Sequence, residues 1–532
     1  MAKFLLCLLL MIFYSTTALA SPKGTILFIP HDDRPTSGPI SAEAVEMAGY
    51  KVMMPDESML GGLYKQGNTD ALWEWTEKMA TKADAIVLSA DSIIYGGLVA
   101  SRKHELTEDI LSERVSRLAS LRQQHPNLKL YAFSSLMRTP KDGRYSGNEE
   151  PEYYLKYGGE IFQTTALEDK AECLSLNNAE KAQLQQLKQS IPSEVWADWT
   201  SRRAKNLKIT KELINYTREG ILDYYVIGKD DNAPLSATHR EARELQKLAE
   251  DIPASRLQLL SGIDEFAMLL LARAINRNEA ISPKVYVQYN QGTGGDTIPA
   301  FSDEKISCSI DKQIMIAGAK QVSNADEANY VLLVNTDYSG LTGDGDSVAE
   351  MPPDGTMRPG VKEFAASVAA AVDQGYKTGV ADISFANGAD NALMEELKTR
   401  RLLFKIRNYA GWNTPTNSTG FAIGQGLVAI RLPLDSCDRL LMERYLDDWV
   451  YQSNVRTELM KQLGWLRKDG YILNLGEYEQ ASEERATALL QEFVIHNLPP
   501  FPGLAGATID FPWHNTFIGG IHLPLNLDSR KT

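Results

Sequence analysis

Two adjacent carboxylates, Asp230 and Asp231, follow a mostly apolar run at residues 223–228. Two carboxylates side by side in a partly desolvated site cannot both ionise at low cost, so one of them keeps its proton near neutral pH. Such a group can protonate a leaving oxygen, which is general acid catalysis. The sequence therefore predicts Asp230 and Asp231 as catalytic acids. The structural alternative is that one carboxylate caps the next turn while the other is solvated.

A second charged cluster, Asp32, Asp33 and Arg34, directly follows an apolar run near the start of the chain. An arginine beside a carboxylate keeps it ionised, and such a pair can bind a substrate hydroxyl or carboxylate. Asp91 and Arg138 lie at or just beyond the ends of two further apolar runs. We predict all five as substrate-binding residues. A structural ion pair at the mouth of the site is the alternative.

Three further segments carry side chains that suit a sugar site. Asp264 follows another apolar run and can bind substrate, or as the alternative cap the helix that comes next. Trp412 and Asn413 combine a flat aromatic ring with a hydrogen-bonding side chain, although a buried core tryptophan is equally ordinary. Asn387 and Asp390 lie in a turn after a further apolar run. These five residues complete the predicted substrate-binding set.

The candidate residues lie near the ends of short apolar runs that alternate with helix-like stretches. This alternation predicts a parallel sheet covered on both faces. Eight such runs predict a (β/α)₈ TIM-like barrel with its active site at the carboxyl ends of the strands. A doubly wound open parallel sheet obeys the same carboxyl-end rule and is the alternative. We expect the strands that end at Asp33, Asp91, Ser135, Asp231 and Asp264 to share one sheet, with their carboxyl ends on one side.

The alternation also predicts the domain organisation. Residues 139–222 interrupt it as a long helix-rich insertion, and such insertions at a catalytic face commonly shape a substrate cleft. Residues 436–532 are largely helical in pattern and end in a segment rich in proline and aromatic residues. We therefore predict an α/β barrel-like catalytic domain over 21–435, with the insertion at 139–222, and a helical C-terminal extension over 436–532.

The first twenty residues have the pattern of a signal peptide. Lys3 precedes an apolar stretch from Phe4 to Tyr14, and a small-x-small motif ends at Ala20. We predict cleavage after Ala20 and export to the periplasm or the medium. An uncleaved membrane anchor is the alternative. No later apolar run is long enough for a transmembrane helix.

Composition narrows the classes of partner and cofactor. The 532 residues include 55 Lys and Arg against 69 Asp and Glu, a net charge of −14, which argues against nucleic-acid binding. The seven histidines form no close pair and the four cysteines form no CxxC motif, so neither a metal site nor a cofactor is predicted. An oxygen-ligand metal site built from Asp32, Asp91, Asp230 and Asp264 stays an alternative.

Several long phrases carry a family resemblance. They are PHDDRP, LSADSIIYGGLVASR, GKDDNAPLSATH, SGIDEFAMLLLARA, ADISFANGAD, NYAGWNTPTNSTG and FPWHNTF. Together they resemble the bacterial family called domain of unknown function 4127, over nearly all of the chain after residue 20. The family's name carries no activity, so this resemblance implies kinship and not a function.

A shorter pattern is similar to the retaining β-N-acetylhexosaminidases of glycoside hydrolase family 84. It consists of an apolar strand ending in Asp-Asp, then ANG-x-D, a helix and Y-x-G-W-N. The resemblance implies a (β/α)₈ fold in which Asp230 orients the substrate acetamide and Asp231 is the general acid/base. It also implies that Asn387, Trp412 and Asn413 line the sugar pocket.

Taken together, the residues favour an exported glycoside hydrolase acting on a cell-wall or amino-sugar glycan, with the Asp230–Asp231 pair as its catalytic acids. Its expected partner is a glycan or another small polar substrate. A sugar- or peptide-binding protein without turnover is one alternative, and a carboxylate-metal-dependent hydrolase is the other.

Overall fold

The computed structural model describes residues 21–141, 143, 148–345, 356–463 and 474–524. Most of its strands lie in two parallel sheets, one of six strands and one of five. The predicted signal peptide at 1–20 lies outside the described residues. In the described ranges, no helix combines the length and the apolar character needed to cross a bilayer.

The first sheet contains strands β1 to β6 in the order β2-β1-β3-β4-β5-β6, and every pair in it is parallel. Its inner strands are buried almost along their whole length, since helices cover both faces. The strands leading to Asp33, Asp91, Ser135, Asp231 and Asp264 are neighbours here, which confirms that prediction. The six strands are Thr25–Ile29, Lys51–Met53, Ala85–Ser89, Lys129–Leu136, Tyr224–Lys229 and Leu257–Ser261.

Ten helices accompany the first sheet in the described part of the chain. The predicted insertion at 139–222 contains three of them, α6, α7 and α8, and it ends where β5 begins. The ten helices, α1 to α10, are Pro39–Met47, Thr69–Ala80, Ala90–Tyr95, Leu98–Lys103, Glu108–Gln124, Tyr154–Cys173, Asn178–Ser190, Ser193–Glu219, Ala237–Leu248 and Phe266–Asn278.

The second sheet has the order β13-β11-β9-β7-β8 and is also parallel throughout. A two-stranded parallel pair, β10 with β12, lies beyond the ends of its strands. Strands β7 to β13 are Lys284–Tyr289, Lys320–Val322, Tyr330–Asn335, Gly343–Asp344, Thr378–Asp382, Phe385–Ala386 and Asn408–Ala410. Helices α11 to α14 are Ile306–Ile316, Val361–Asp373, Asn391–Thr399 and Pro415–Ala429.

The predicted single barrel is not confirmed, because the described strands form two open sheets, which match the open-sheet alternative. In each sheet the first strand lies between the second and the third, so the winding reverses beside the first strand. Ligands of open α/β sheets bind outside the carboxyl ends of the strands at such a reversal. Barrels and open sheets share the same alternation of strands and helices, and the sequence pattern therefore does not distinguish them.

Helices α10 and α14 join the two sheets into one core. Helix α10 contacts β3 and β4 of the first sheet, α14 contacts β9, β11 and β13 of the second, and the two helices pack on each other. Every residue of α14 is buried because it is covered on all sides. The helices approach closely: a Cβ atom at Gly420 would lie 2.1 Å from Cγ of Glu265. This packing determines how the carboxyl ends of the two sheets face each other.

The C-terminal region is helical and then ends in a small hairpin. An eleven-residue π-helix, Tyr445–Val455, continues directly from α15. Within it Asp448 forms a buried ion pair with Arg444. The region comprises α15 (Leu434–Arg444), α16 (Arg456–Gln462), α17 (Glu479–Asn497) and the antiparallel strands β14 (Thr508–Asp510) and β15 (Gly520–His522).

Candidate functional site

A cavity of about 490 Å³ lies between the carboxyl ends of the two sheets. Segments after β1, β4, β5 and β6 line it from the first sheet, and segments after β7, β12 and β13 line it from the side of the second. Its volume is within the range of about 300–1,000 Å³ that is usual for small-molecule sites. The charged and amide side chains in its wall are Arg34, Arg102, Arg138, Lys141, Glu149, Asp230, Asp231, Asn232, Asp264, Asp344, Asn387 and Asn413.

Arg34 is the centre of a buried ion-pair network beside the cavity. Its Nη2 lies 2.7 Å from both Asp32 Oδ2 and Asp264 Oδ1, and His31 Nε2 lies 3.0 Å from the same Asp264 oxygen. Burial alone would raise the pKa of Asp32 and of Asp264. Arg34 and His31 outweigh it and hold both pKa values below their ordinary range. Both carboxylates are therefore ionised, and Asp264 presents its negative charge at the wall.

The predicted catalytic pair converges on this cavity. Strand β5 ends at Lys229, and Asp231 then adopts the left-handed region with φ of 41°, which turns the chain so that both carboxylates line the wall. Arg102 Nη2 donates to Asp230 Oδ2, and Arg138 Nη1 donates to Asp231 Oδ2 at 2.5 Å. Each carboxylate is thus held by its own arginine.

The two carboxyl groups of this pair have displaced pKa values. Burial and the neighbouring Asp230 carboxylate raise the pKa of Asp231 to about 7, although Arg138 opposes the shift. Burial also raises the pKa of Asp230, against the effect of Arg102 and Arg138. A carboxylic acid that keeps its proton near neutral pH is matched to general acid catalysis.

The insertion supplies two carboxylates that the sequence reasoning did not identify. Glu149 lines the cavity, and its Oε2 lies 2.5 Å from Arg102 Nη1 and 3.2 Å from Arg138 Nη2. Glu150 is buried behind it and accepts a hydrogen bond of 2.6 Å from Arg138 Nε. The sequence pattern that could have identified them is the Glu-Glu pair itself, since it lies in an insertion that was expected at the active-site face. Arg102 was also missed, because it lies on helix α4 and not at a strand end.

Asp33 and Asp91 lie at the same edge of the first sheet, but neither is among the described residues that line the cavity. Asp33 Oδ1 accepts a 2.8 Å hydrogen bond from Trp513 Nε1, and burial raises the pKa of Asp33. Asp91 is buried in the first turn of α3, where its Oδ2 accepts from the Ser135 backbone N–H at 2.9 Å, and burial raises its pKa to about 6. Both carboxylates bind the protein's own groups. The ion pair named as the structural alternative occurs for Asp33, which lies 4.0 Å from Lys65 Nζ, while Asp91 accepts a backbone hydrogen bond instead.

Asn387, after β12, and Asn413, after β13, line the cavity from the side of the second sheet. The Asn387 N–H donates to the Asn413 carbonyl oxygen at 2.8 Å, so their two loops are joined. Asn413 Nδ2 lies 3.4 Å from Asp264 Oδ2, which links these loops to the first sheet. Asp448 of the π-helix accepts from the Gly411 N–H at 2.7 Å and positions the loop that carries Asn413.

Trp412 and Asp390 are placed away from the open wall. Trp412 is 2% exposed and packs in a small apolar cluster that includes Trp513 and Ile518, which matches the buried-core alternative. Asp390 caps helix α13 and forms an ion pair with Arg358. Their predicted contact with substrate has no support in this arrangement.

The C-terminal region supplies an apolar part of the wall. Phe517 and Ile518 line the cavity, and the ring of Trp513 lies 4.8 Å from the guanidinium carbon of Arg34. This segment is distant in sequence from every other part of the site. Its contribution depends entirely on how the C-terminal region packs across the ends of the first sheet.

The metal alternative gains no support from the cavity. Of the four aspartates in that alternative, Asp32, Asp230 and Asp264 each pair with a guanidinium, and Asp91 accepts a hydrogen bond from the Ser135 N–H. In the described part of the chain, a close group of three ligand atoms occurs at Asp169, Cys173 and His239, none of which lines the cavity. Arg243 Nη2 already contacts Asp169 Oδ1 there at 2.5 Å.

Comparison with known proteins identifies a family for this chain but no activity. The family described as "Protein of unknown function (DUF4127)" matches residues 26–521 and is the family that the long sequence phrases resemble. No curated protein matches the chain. The chemistry of the cavity is therefore the basis for assigning an activity.

Proposed function

We propose that this chain, which belongs to the DUF4127 family, is an exported glycoside hydrolase acting on a cell-wall or amino-sugar glycan. The observation that carries the proposal is the tuned acid Asp231, which lines a ligand-sized cavity with a pKa raised to about 7. Hydrolysis of a glycoside needs an acid that protonates the leaving oxygen and a group that stabilises positive charge at the anomeric carbon. Asp231 takes the first role and Asp230 the second.

The wall of the cavity also suits a sugar. Phe301 and Phe517 supply apolar surface, while Asn387 and Asn413 supply amide groups that can bind hydroxyls. Sugars present both kinds of surface, since their C–H faces are apolar and their rims carry hydroxyls. The resemblance to glycoside hydrolase family 84 supports the proposal less than the cavity does. It implies a barrel, whereas the described strands form two open sheets.

Turnover of a glycoside is expected to fall as the pH rises through about 7. The raised pKa of Asp231 means that its proton is present below this pH and is lost above it, and only the protonated form can serve the leaving group. The measurement is the pH dependence of kcat/KM on whichever chromogenic glycoside, from a panel of sugars and both anomers, the purified protein hydrolyses.

The same panel separates the enzyme from a sugar-binding protein without turnover. If a glycoside binds in calorimetry but is never hydrolysed, the binding alternative is correct. If hydrolysis is found but persists undiminished well above pH 8, Asp231 is not its acid.

The predicted export is part of the proposal. We expect the mature protein to begin at Ser21, since the small-x-small motif ends at Ala20. Intact-mass measurement of protein recovered from the periplasm or the medium checks this. A mass that includes residues 1–20 would mean an uncleaved anchor.

A further inference from the structure

We propose, on the basis of the hydrolase function above, that Glu149 is a further catalytic residue and acts as the base that takes a proton from the attacking water. Glu149 lines the same cavity as Asp231. One guanidinium contacts both of them: Arg138 Nη1 lies 2.5 Å from Asp231 Oδ2 and Arg138 Nη2 lies 3.2 Å from Glu149 Oε2. The two carboxyl groups therefore border one ligand position.

As far as the described residues go, one oxygen of Glu149 accepts no hydrogen bond from the protein, whereas both oxygens of Asp264, another wall carboxylate with a lowered pKa, do. Asp264 Oδ1 is bound by Arg34 and His31, and its Oδ2 is approached by the amides of Asn413 and Asn417. The hydrogen bonds and ion pairs from described residues to Glu149 all go to Oε2. Its side chain is 19% exposed, compared with 5% for Asp264.

The surrounding charges keep Glu149 ionised. Burial would raise its pKa, but Arg138, Arg102 and Arg34 together lower it below the ordinary value. Among the described residues, Asp230, Asp231 and Lys103 also interact electrostatically with Glu149, and Glu150 lies beside it on the same guanidinium of Arg102. Asp231 carries a raised pKa in the same cavity. Two carboxyl groups whose environments move their pKa values apart are the arrangement of an acid and a base.

Hydrolysis then proceeds by a single displacement. The oxygen of water forms a bond to the anomeric carbon while the bond from that carbon to the leaving oxygen breaks. Glu149 takes one proton from the water, and Asp231 gives its proton to the leaving oxygen. Exchange with solvent then returns Glu149 to the ionised form and Asp231 to the protonated form. Because water attacks opposite the leaving group, the product has the inverted anomeric configuration.

The test compares Glu149→Gln with Glu152→Gln on a hydrolysed glycoside. Glu152 lies in the same segment but is exposed. We expect Glu149→Gln to lower kcat by about 10²–10⁴-fold, with KM little changed, and Glu152→Gln to leave both unaltered. The acidic limb of the pH profile should disappear in Glu149→Gln, while the alkaline limb of Asp231 stays. A purely structural role would not remove one limb selectively.

Stereochemistry gives a second readout that needs no variant. Proton NMR of the first product formed by the unmodified protein should show inversion, and retention would overturn the role of Glu149 even if Glu149→Gln fails to fold. Two results with folded Glu149→Gln would also overturn the role of Glu149: turnover within tenfold of the wild type, or an intact acidic limb of the pH profile. Either result would leave the proposed hydrolase function unaffected. Absence of hydrolysis by the wild type on every glycoside would refute the proposed function itself, and the role of Glu149 with it.

Discussion

Replacing Asp231 by asparagine is expected to lower the hydrolysis of a natural glycan by roughly 10²–10⁴-fold. The amide has the shape of the carboxylic acid and can still accept from Arg138, but it does not donate a proton to the leaving oxygen as the acid does. Activated aryl glycosides have leaving groups that need little protonation, so their loss should be smaller. Steady-state kinetics on both kinds of substrate measure the difference.

Two further variants help to interpret the result for Asp231→Asn. Asp230→Asn should slow both kinds of substrate, since the role proposed for Asp230 is at the anomeric carbon and not on the leaving group. Asp251→Asn is the control, because Asp251 is exposed, pairs with Arg218 and is not among the described residues that line the cavity. A loss below about tenfold in Asp231→Asn would be too small for a general acid and would place the proton donor elsewhere.

Replacing Arg34 by methionine is expected to lower the free energy of unfolding by about 3–5 kcal/mol at neutral pH. Methionine fills a similar volume but leaves the carboxylates of Asp32 and Asp264 buried without their cation. An uncompensated buried charge is far more costly than a lost surface pair. Denaturant unfolding followed by circular dichroism gives the free energy directly.

The matched control for Arg34 is Arg117→Met. Arg117 pairs with Asp70 and Glu113 on the surface, where a salt bridge contributes only about 0–1 kcal/mol. The pH dependence provides a further check. Asp32 and Asp264 have lowered pKa values when folded, so their contribution is present above the unfolded value of about 4 and is lost as the pH falls through the folded one. The gap between wild type and Arg34→Met should therefore shrink in acid, and a gap below about 1 kcal/mol at pH 7 would contradict the network.

Local pattern was enough to find the strands and the residues at their ends. Strands β1, β3, β4, β5 and β6 are short apolar runs buried on both faces, so each is recognisable without its neighbours. Parallel pairing then places their carboxyl ends together, and this is why Asp230, Asp231 and Asp264 were correctly expected near one another. The convergence of Asp230 and Asp231 follows from a single local fact, the end of β5 at Lys229.

Cavity residues that come from distant segments could not be predicted from local sequence pattern. Arg102, Glu149 and Phe517 reach the cavity from a helix, an insertion and the C-terminal region, and no local pattern marks the face that each presents. The residues that flank Trp412 in the sequence are the same whether its ring covers a sugar or fills the core, so the sequence does not distinguish the two placements. Its burial was decided by contacts such as Trp513, which is about one hundred residues away.

The sequence by itself determined that the chain is a parallel α/β protein of the DUF4127 family with acidic residues at its strand ends, because side-chain burial and turn formation are local properties. Only the tertiary structure decided that the strands form two open sheets, since strand–helix alternation is common to barrels and open sheets. The packing of α10 on α14 then decided which strand ends face each other. The contacts of Arg102 with Asp230 and of Arg138 with Asp231 also join segments that are distant in the sequence, so only the folded chain shows the electrostatic environment of the proposed acid pair.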